Sequence, residues 1–217
     1  MTIQASDYDS YADEVARYTA AREERGVAGD GLLREMLELL GDVTGLRVLD
    51  AACGDGYLTR VLADRGARVT GIDIGSRLIE RASRRDPDGS IDYRVADLSK
   101  GLPGERASFD AVVSFLALND VIEYRGFIAT IASLLRPGGR LVLAFNSPYG
   151  SVVRGNVPDY FDTGATSPYR GLWAAGIKTY LQHRTLSRDH CFDPQPESIL
   201  PDGFRFPRFM LLAFTKP

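Results

Sequence analysis

The chain has 217 residues, 44% hydrophobic and 10% aromatic, which suits one folded domain and excludes wholesale disorder. Its 26 basic and 29 acidic residues leave a net charge of −3, which gives no footprint for nucleic acid or an anionic membrane. No apolar run reaches the about 20 residues of a membrane span, Met1 to Ser10 lacks a signal-peptide core, and two cysteines with two histidines suggest neither a disulfide framework nor a metal site.

These features predict a single cytoplasmic domain over 1–217. Ser6 to Glu24 sets Tyr8, Tyr11, Ala12, Val15 and Tyr18 at helical spacing. A second helix starts at Asp30 as its cap, runs through Leu32, Leu33, Met36, Leu37 and Leu40, and stops at Gly41. The two form a helical cap over 1–41. Leu46 to Asp50 is a short apolar run ending in an acid, followed at once by Ala51-Ala-Cys-Gly-Asp-Gly56. Tyr57 to Arg65 reads as helix, Arg68 to Asp73 as a second strand, and Ser76 caps a helix ending before Pro87. Ile91 to Ala96 and Phe109 to Phe115 are the third and fourth strands. Val121 to Leu135 is helical, Pro137-Gly-Gly139 closes it, and Arg140 to Phe145 is the fifth strand. Such alternation predicts a doubly wound α/β fold with a parallel sheet, all strands ending on the edge where ligands bind.

Beyond Phe145 the rhythm breaks. Residues 146–175 are rich in Pro, Gly and aromatics, among them Tyr149, Tyr160, Phe161, Tyr169 and Trp173. A stretch this long without a periodic pattern predicts a lid or substrate insertion over 146–186. Within it Ile177 to Leu186 is strand-like, and Phe204 to Thr215 reads as a final strand.

The glycine loop carries the chemistry. Small residues between a strand and a helix let a ligand approach the backbone, and the helix N-terminus supplies donors. The nicotinamide fingerprint G-x-G-x-x-G fails, because its last position falls on Thr59 or Tyr57. An acid followed by small residues at alternate positions fits instead: Asp50, Ala52, Gly54, Gly56. The 17 residues from Gly56 to Asp73 leave room for one helix and one strand, placing a second carboxylate on the same edge. Capping of helices and turns is the structural alternative for Asp50, Asp73 and Asp97.

Val48 to Gly56 resembles the first motif of the class I S-adenosylmethionine (SAM) dependent methyltransferases, with Ala52 in place of the usual glycine. Gly71-Ile-Asp73 is similar to the acid that holds the ribose hydroxyls, with Ile74 after it. Ala96-Asp97-Leu98 is similar to the adenine-receiving pair. Phe109 to Ser114 and Leu135 to Gly139 match the fourth strand and the turn into the fifth. The resemblance covers roughly residues 6 to 146. It implies a Rossmann-like sheet, SAM as cofactor with S-adenosylhomocysteine (SAH) as product, and a cofactor site of Asp50, Ala52, Gly54, Gly56, Asp73, Ile74, Asp97, Leu98 and Ser114. Tyr11, with Tyr8, falls where small-molecule members carry a closing aromatic helix.

Methyl transfer to a hydroxyl or amine also needs a base. His183, in Tyr180-Leu-Gln-His-Arg-Thr-Leu186, is the first candidate, with a role in orienting substrate as the alternative. Asp120 follows Asn119 where relatives commonly show His-Asp, and is either a base or a helix cap. Asn146-Ser-Pro-Tyr149 mimics the motif of DNA amino-methyltransferases, but it follows the fifth strand rather than the fourth, and no basic surface bias accompanies it. The expected substrate is a small apolar or aromatic metabolite of secondary metabolism. A methyltransferase-fold protein that catalyses a cyclisation, with SAM structural or absent, is the second class. Finally, Pro194, Pro196 and Pro201 interrupt the 16 residues before the last strand. They predict strand order 3-2-1-4-5-7 with the sixth strand and its helix missing. The bare edge would call for cover by the insertion or by a second copy in a homodimer.

Overall fold

The computed structural model describes residues 12–118, 120, 121, 123–146, 189–192 and 209–217. Helix α1 (Ala12–Gly29) is kinked at Gly26, whose φ of 64° is left-handed. Helix α2 (Gly31–Leu40) begins where predicted: the Asp30 carboxylate accepts from Leu33 N–H at 3.2 Å. It ends at Gly41, whose N–H donates to Leu37 O. Then follow β1 (Arg47–Ala51), α3 (Tyr57–Asp64), β2 (Arg68–Asp73), α4 (Ser76–Arg84), β3 (Asp92–Val95), β4 (Phe109–Phe115), α5 (Tyr124–Leu134), β5 (Leu135–Asn146), β6 (Asp189–Phe192) and β7 (Phe209–Thr215). Leu98–Lys100 adds one 3₁₀ turn.

The strands form one sheet in the order β3-β2-β1-β4-β5-β7-β6. The first five are parallel neighbours, with Asp50 beside Gly71 on β2 and Val113 on β4. Strand β7 runs antiparallel to β5, and β6 antiparallel to β7. Side-chain alternation along β1 feeds two cores. Val48 joins Leu32, Met36, Leu62, Val113 and Leu211 on one face. Leu49 joins Phe127, Ile131, Leu134, Val112 and Leu143 on the other. A sheet buried on both faces needs apolar runs, and β4 supplies Ala111, Val112 and Val113, all fully buried.

Two expectations change. Leu135 to Gly139 is not a separate turn but the start of β5: Phe109 pairs with Leu135, Ala111 already with Arg140, and the residues between bulge out. The end of the chain pins that bulge, because Gly138 N–H donates to Lys216 O at 2.8 Å and Lys216 N–H to Gly139 O at 2.9 Å. The expectation of a missing sixth strand is overturned. Asp189–Phe192 pairs with Phe209–Leu212 of β7. The four-residue strand ends before Pro194, and an edge strand needs only one row of partners, so the prolines do not prevent it. With β7 covered there, the argument for a second copy at a bare edge falls away. The predicted insertion after Asn146, the strand at Ile177 to Leu186, and Tyr8, Tyr11 and His183 lie outside the described residues.

Candidate active site

The carboxyl ends of β1, β2 and β4 converge on the glycine loop. Asp73, buried at the end of β2, accepts from Gly54 N–H through Oδ2 and from Gly75 N–H through Oδ1, each at 2.8 Å. One carboxylate therefore sets the height of the loop above the next strand. The loop is also tied to β2 by Cys53 N–H donating to Ile72 O at 3.0 Å. Gly56 and Gly71 make room for Tyr93: a Cβ on Gly56 would lie 2.4 Å from the Tyr93 hydroxyl, and one on Gly71 2.9 Å from its ring. A Cβ on Gly54 would make only an ordinary contact with Val15 of α1, at 3.7 Å.

Asp50 is the opposite case. It is 1% exposed, Thr59 Oγ1 donates to its Oδ2 at 2.6 Å, and its Oδ1 is buried without a partner. Burial pushes its carboxyl up to about 7 against the Thr59 bond, and the nearby Asp73 charge adds to the push. Ser114, on the neighbouring β4, likewise buries a hydroxyl without a partner. Buried orphans of this kind are rare, and at a strand-end edge they point to a ligand.

Two residues past strand ends hold left-handed backbone without being glycine: Ala52 (φ 60°) after β1 and Leu116 (φ 58°) after β4. The family's usual glycine at position 52 has a conformational reason, and Ala52 keeps that geometry at a cost of about 1 kcal/mol. Asp97 caps the 3₁₀ turn, accepting from Ser99 N–H at 3.0 Å and Ser99 Oγ at 2.5 Å and pairing with Lys100 at 2.8 Å. Leu98 is buried in the second core, while Ile74 is half-buried beside Asp73. Asp120 is exposed, and its carboxyl is pushed up to about 6 by surrounding protein first and by Glu14 of α1 second. Water reaches an exposed group and offsets part of that push, so the upward direction is what carries forward. Sequence reasoning missed Thr59 and Tyr93. Thr59 sits one turn into α3, where a hydroxyl faces back to the strand end, and that spacing was its only signal.

A second recess, of about 500 Å³, lies at the amino end of β3 between Ser83, Asp86, Ser90 and Asp92, away from these carboxylates. Among the described residues no group of three or more His, Cys, Asp or Glu could hold a metal ion, and no helix is long and apolar enough to cross a membrane.

The methyltransferase domain family matches residues 49–143, which run from β1 through the glycine loop into β5. The chain is similar to the S-adenosylmethionine-dependent methyltransferases, the domain match covering a little under half of its length. A ubiquinone biosynthesis O-methyltransferase of Methylocella silvestris is 47% identical over 102 residues, 46% of this chain and 40% of that protein. A demethylmenaquinone methyltransferase of Tropheryma whipplei is 38% identical over 117 residues, 53% of this chain and 48% of that protein. The chain thus matches less than half the length of either curated relative. A solved SAM-dependent methyltransferase of Mesorhizobium loti superposes with a TM-score of 0.65 at 25% identity, covering 88% of this chain and all of that one. The methyltransferase fold is therefore that of this chain.

Proposed function

We propose that this chain is a methyltransferase that transfers the methyl group of SAM to a hydroxyl of a small, largely apolar or aromatic molecule, leaving SAH. The observation that carries the reading is the pairing of a fixed carboxylate, Asp73, bound to the glycine loop, with a buried, unpartnered Asp50 Oδ1. Vicinal ribose hydroxyls suit Asp73 as acceptor, and a cationic amino group suits Asp50. Backbone at Ala52, Gly54 and Gly56 allows close approach. Ile74, Asp97 and Leu98 would form the adenine end, with Ser114 and Tyr11 on the methionine side.

Bound there, SAM supplies an electrophilic methyl on a sulfonium. The chain's own task is to hold the acceptor in line and keep water out, effects worth up to about 7–11 kcal/mol. Asp120, with its carboxyl raised, or His183 takes the acceptor's proton. O-methylation is favoured by the first relative, named as an O-methyltransferase of ubiquinone biosynthesis, and a quinol-like aromatic acceptor by both that name and demethylmenaquinone methyltransferase. A cytoplasmic setting and a role in secondary metabolism belong to the same proposal.

Calorimetric titration of the full chain with SAM and SAH tests it: saturable one-to-one binding of both is expected, and no binding of either would contradict it. With a panel of hydroxylated aromatics, His183→Asn should lower kcat on the order of a hundred-fold and leave SAH affinity unchanged. A variant that keeps most of the wild-type kcat would assign His183 to orientation.

A further inference from the structure

Helix α1 lies against the glycine loop along one stripe, Val15, Thr19 and Glu23, spaced by four residues. Thr19 Oγ1 donates to Asp55 Oδ1 at 2.8 Å, and both residues are almost wholly buried, at 5% and 2% exposed. Asp55 is the residue between the two glycines of the loop. Its Oδ2 lies 3.4 Å from Arg85 at the end of α4, and its backbone oxygen accepts from Arg60 of α3 at 2.8 Å. Glu23 then meets both arginines, at 2.5 Å from Arg60 and 3.1 Å from Arg85. Two residues before Val15, Asp13 pairs with Arg81 of α4. The loop is thus gripped from two sides, by Asp73 on β2 and by Thr19 on α1.

We propose that Thr19 and Asp55 are positioning residues for the cofactor, forming a latch that couples the docking of α1 to the seating of the glycine loop. This rests on the reading of that loop as the SAM site. A hydroxyl–carboxylate bond in a buried place fixes the peptide planes of Gly54 and Gly56, which must face the ligand. The exposed ion pairs at Asp13 and Glu23 align the helix but are screened by salt; the buried bond is not. Linkage makes the coupling reciprocal: whatever factor the latch adds to cofactor affinity, the cofactor adds to the docking of α1.

The test is SAH titration of the full chain and of Thr19→Val and Thr19→Ser, with amide hydrogen exchange of α1 followed with and without SAH. Thr19→Val should bind SAH about ten-fold more weakly, because a buried carboxylate loses its hydroxyl donor, and Thr19→Ser should stay near the wild type. In the wild type SAH should slow exchange across α1, an effect that Thr19→Val should lose. Equal SAH affinity in wild type and Thr19→Val overturns the latch alone, as does exchange in wild-type α1 that SAH leaves unchanged. The exchange result needs no variant to fold. A wild type that binds no SAH overturns the cofactor reading and the latch with it.

Discussion

The two sides of the strand-end crevice are built differently. On the β1–β2 side, carboxylates are buried and fixed: Asp73 takes two backbone N–H groups, and Asp50 takes Thr59. On the β4–β5 side, the described candidate is Asp120, an exposed carboxyl following a left-handed Leu116. Main-chain donors can be positioned by the sheet itself, so the first side is ready before any ligand arrives. The second side relies on side chains, with the Glu14 charge of α1 opposing ionisation of Asp120. A common cofactor calls for the first kind of construction and a particular acceptor for the second.

Removing the fixed side's anchor should have the largest effect. Asp73→Ala frees Gly54 and Gly75 N–H and deletes the proposed ribose acceptor, so SAH affinity should fall on the order of a hundred-fold by calorimetry. Unchanged affinity would mean that the two sides do not differ as described.

The next test uses pH. Asp50 is held at about 7 in the fold, above its ordinary value of 3.8. Between those values the folded chain keeps a proton that the unfolded chain has lost. This group therefore makes stability fall as pH rises from about 4 to about 7 and adds no slope outside that window. Urea unfolding across that range should show the slope, and Asp50→Asn should flatten it. If SAM's amino group meets the ionised form, SAH affinity should rise over the same interval. A wild type and an Asp50→Asn variant with identical slopes would remove Asp50 from the account.

The smallest effect concerns backbone strain. Ala52→Gly should raise stability by about 1 kcal/mol, since glycine adopts the left-handed turn without a Cβ penalty, and SAH affinity should not weaken. A destabilised variant would show that the entropy of the added glycine outweighs the strain.

The sequence made the first half of this architecture legible for physical reasons. Buried parallel strands are short apolar runs, and β2 and β4 match their expected bounds of Arg68–Asp73 and Phe109–Phe115. Asp50 and Asp73 stood out because an acid at the end of such a run lies at the binding edge. The far edge was less legible. Strand β6 has four residues and no pattern of its own, and its existence depends on the β7 residues it pairs with. Thr19 and Asp55 are 36 positions apart, joined only once α1 folds over the loop, so no local spacing announces them. The strain at Ala52 is likewise a property of backbone dihedrals, invisible in residue type alone.

Amide chemical-shift mapping with SAH asks where the ligand sits. Saturable shifts led by the N–H groups of Gly54, Gly56 and Gly75, with Asp73 between them, are expected. Shifts confined to the recess around Ser83, Asp86 and Ser90 at the opposite end of the sheet would contradict it.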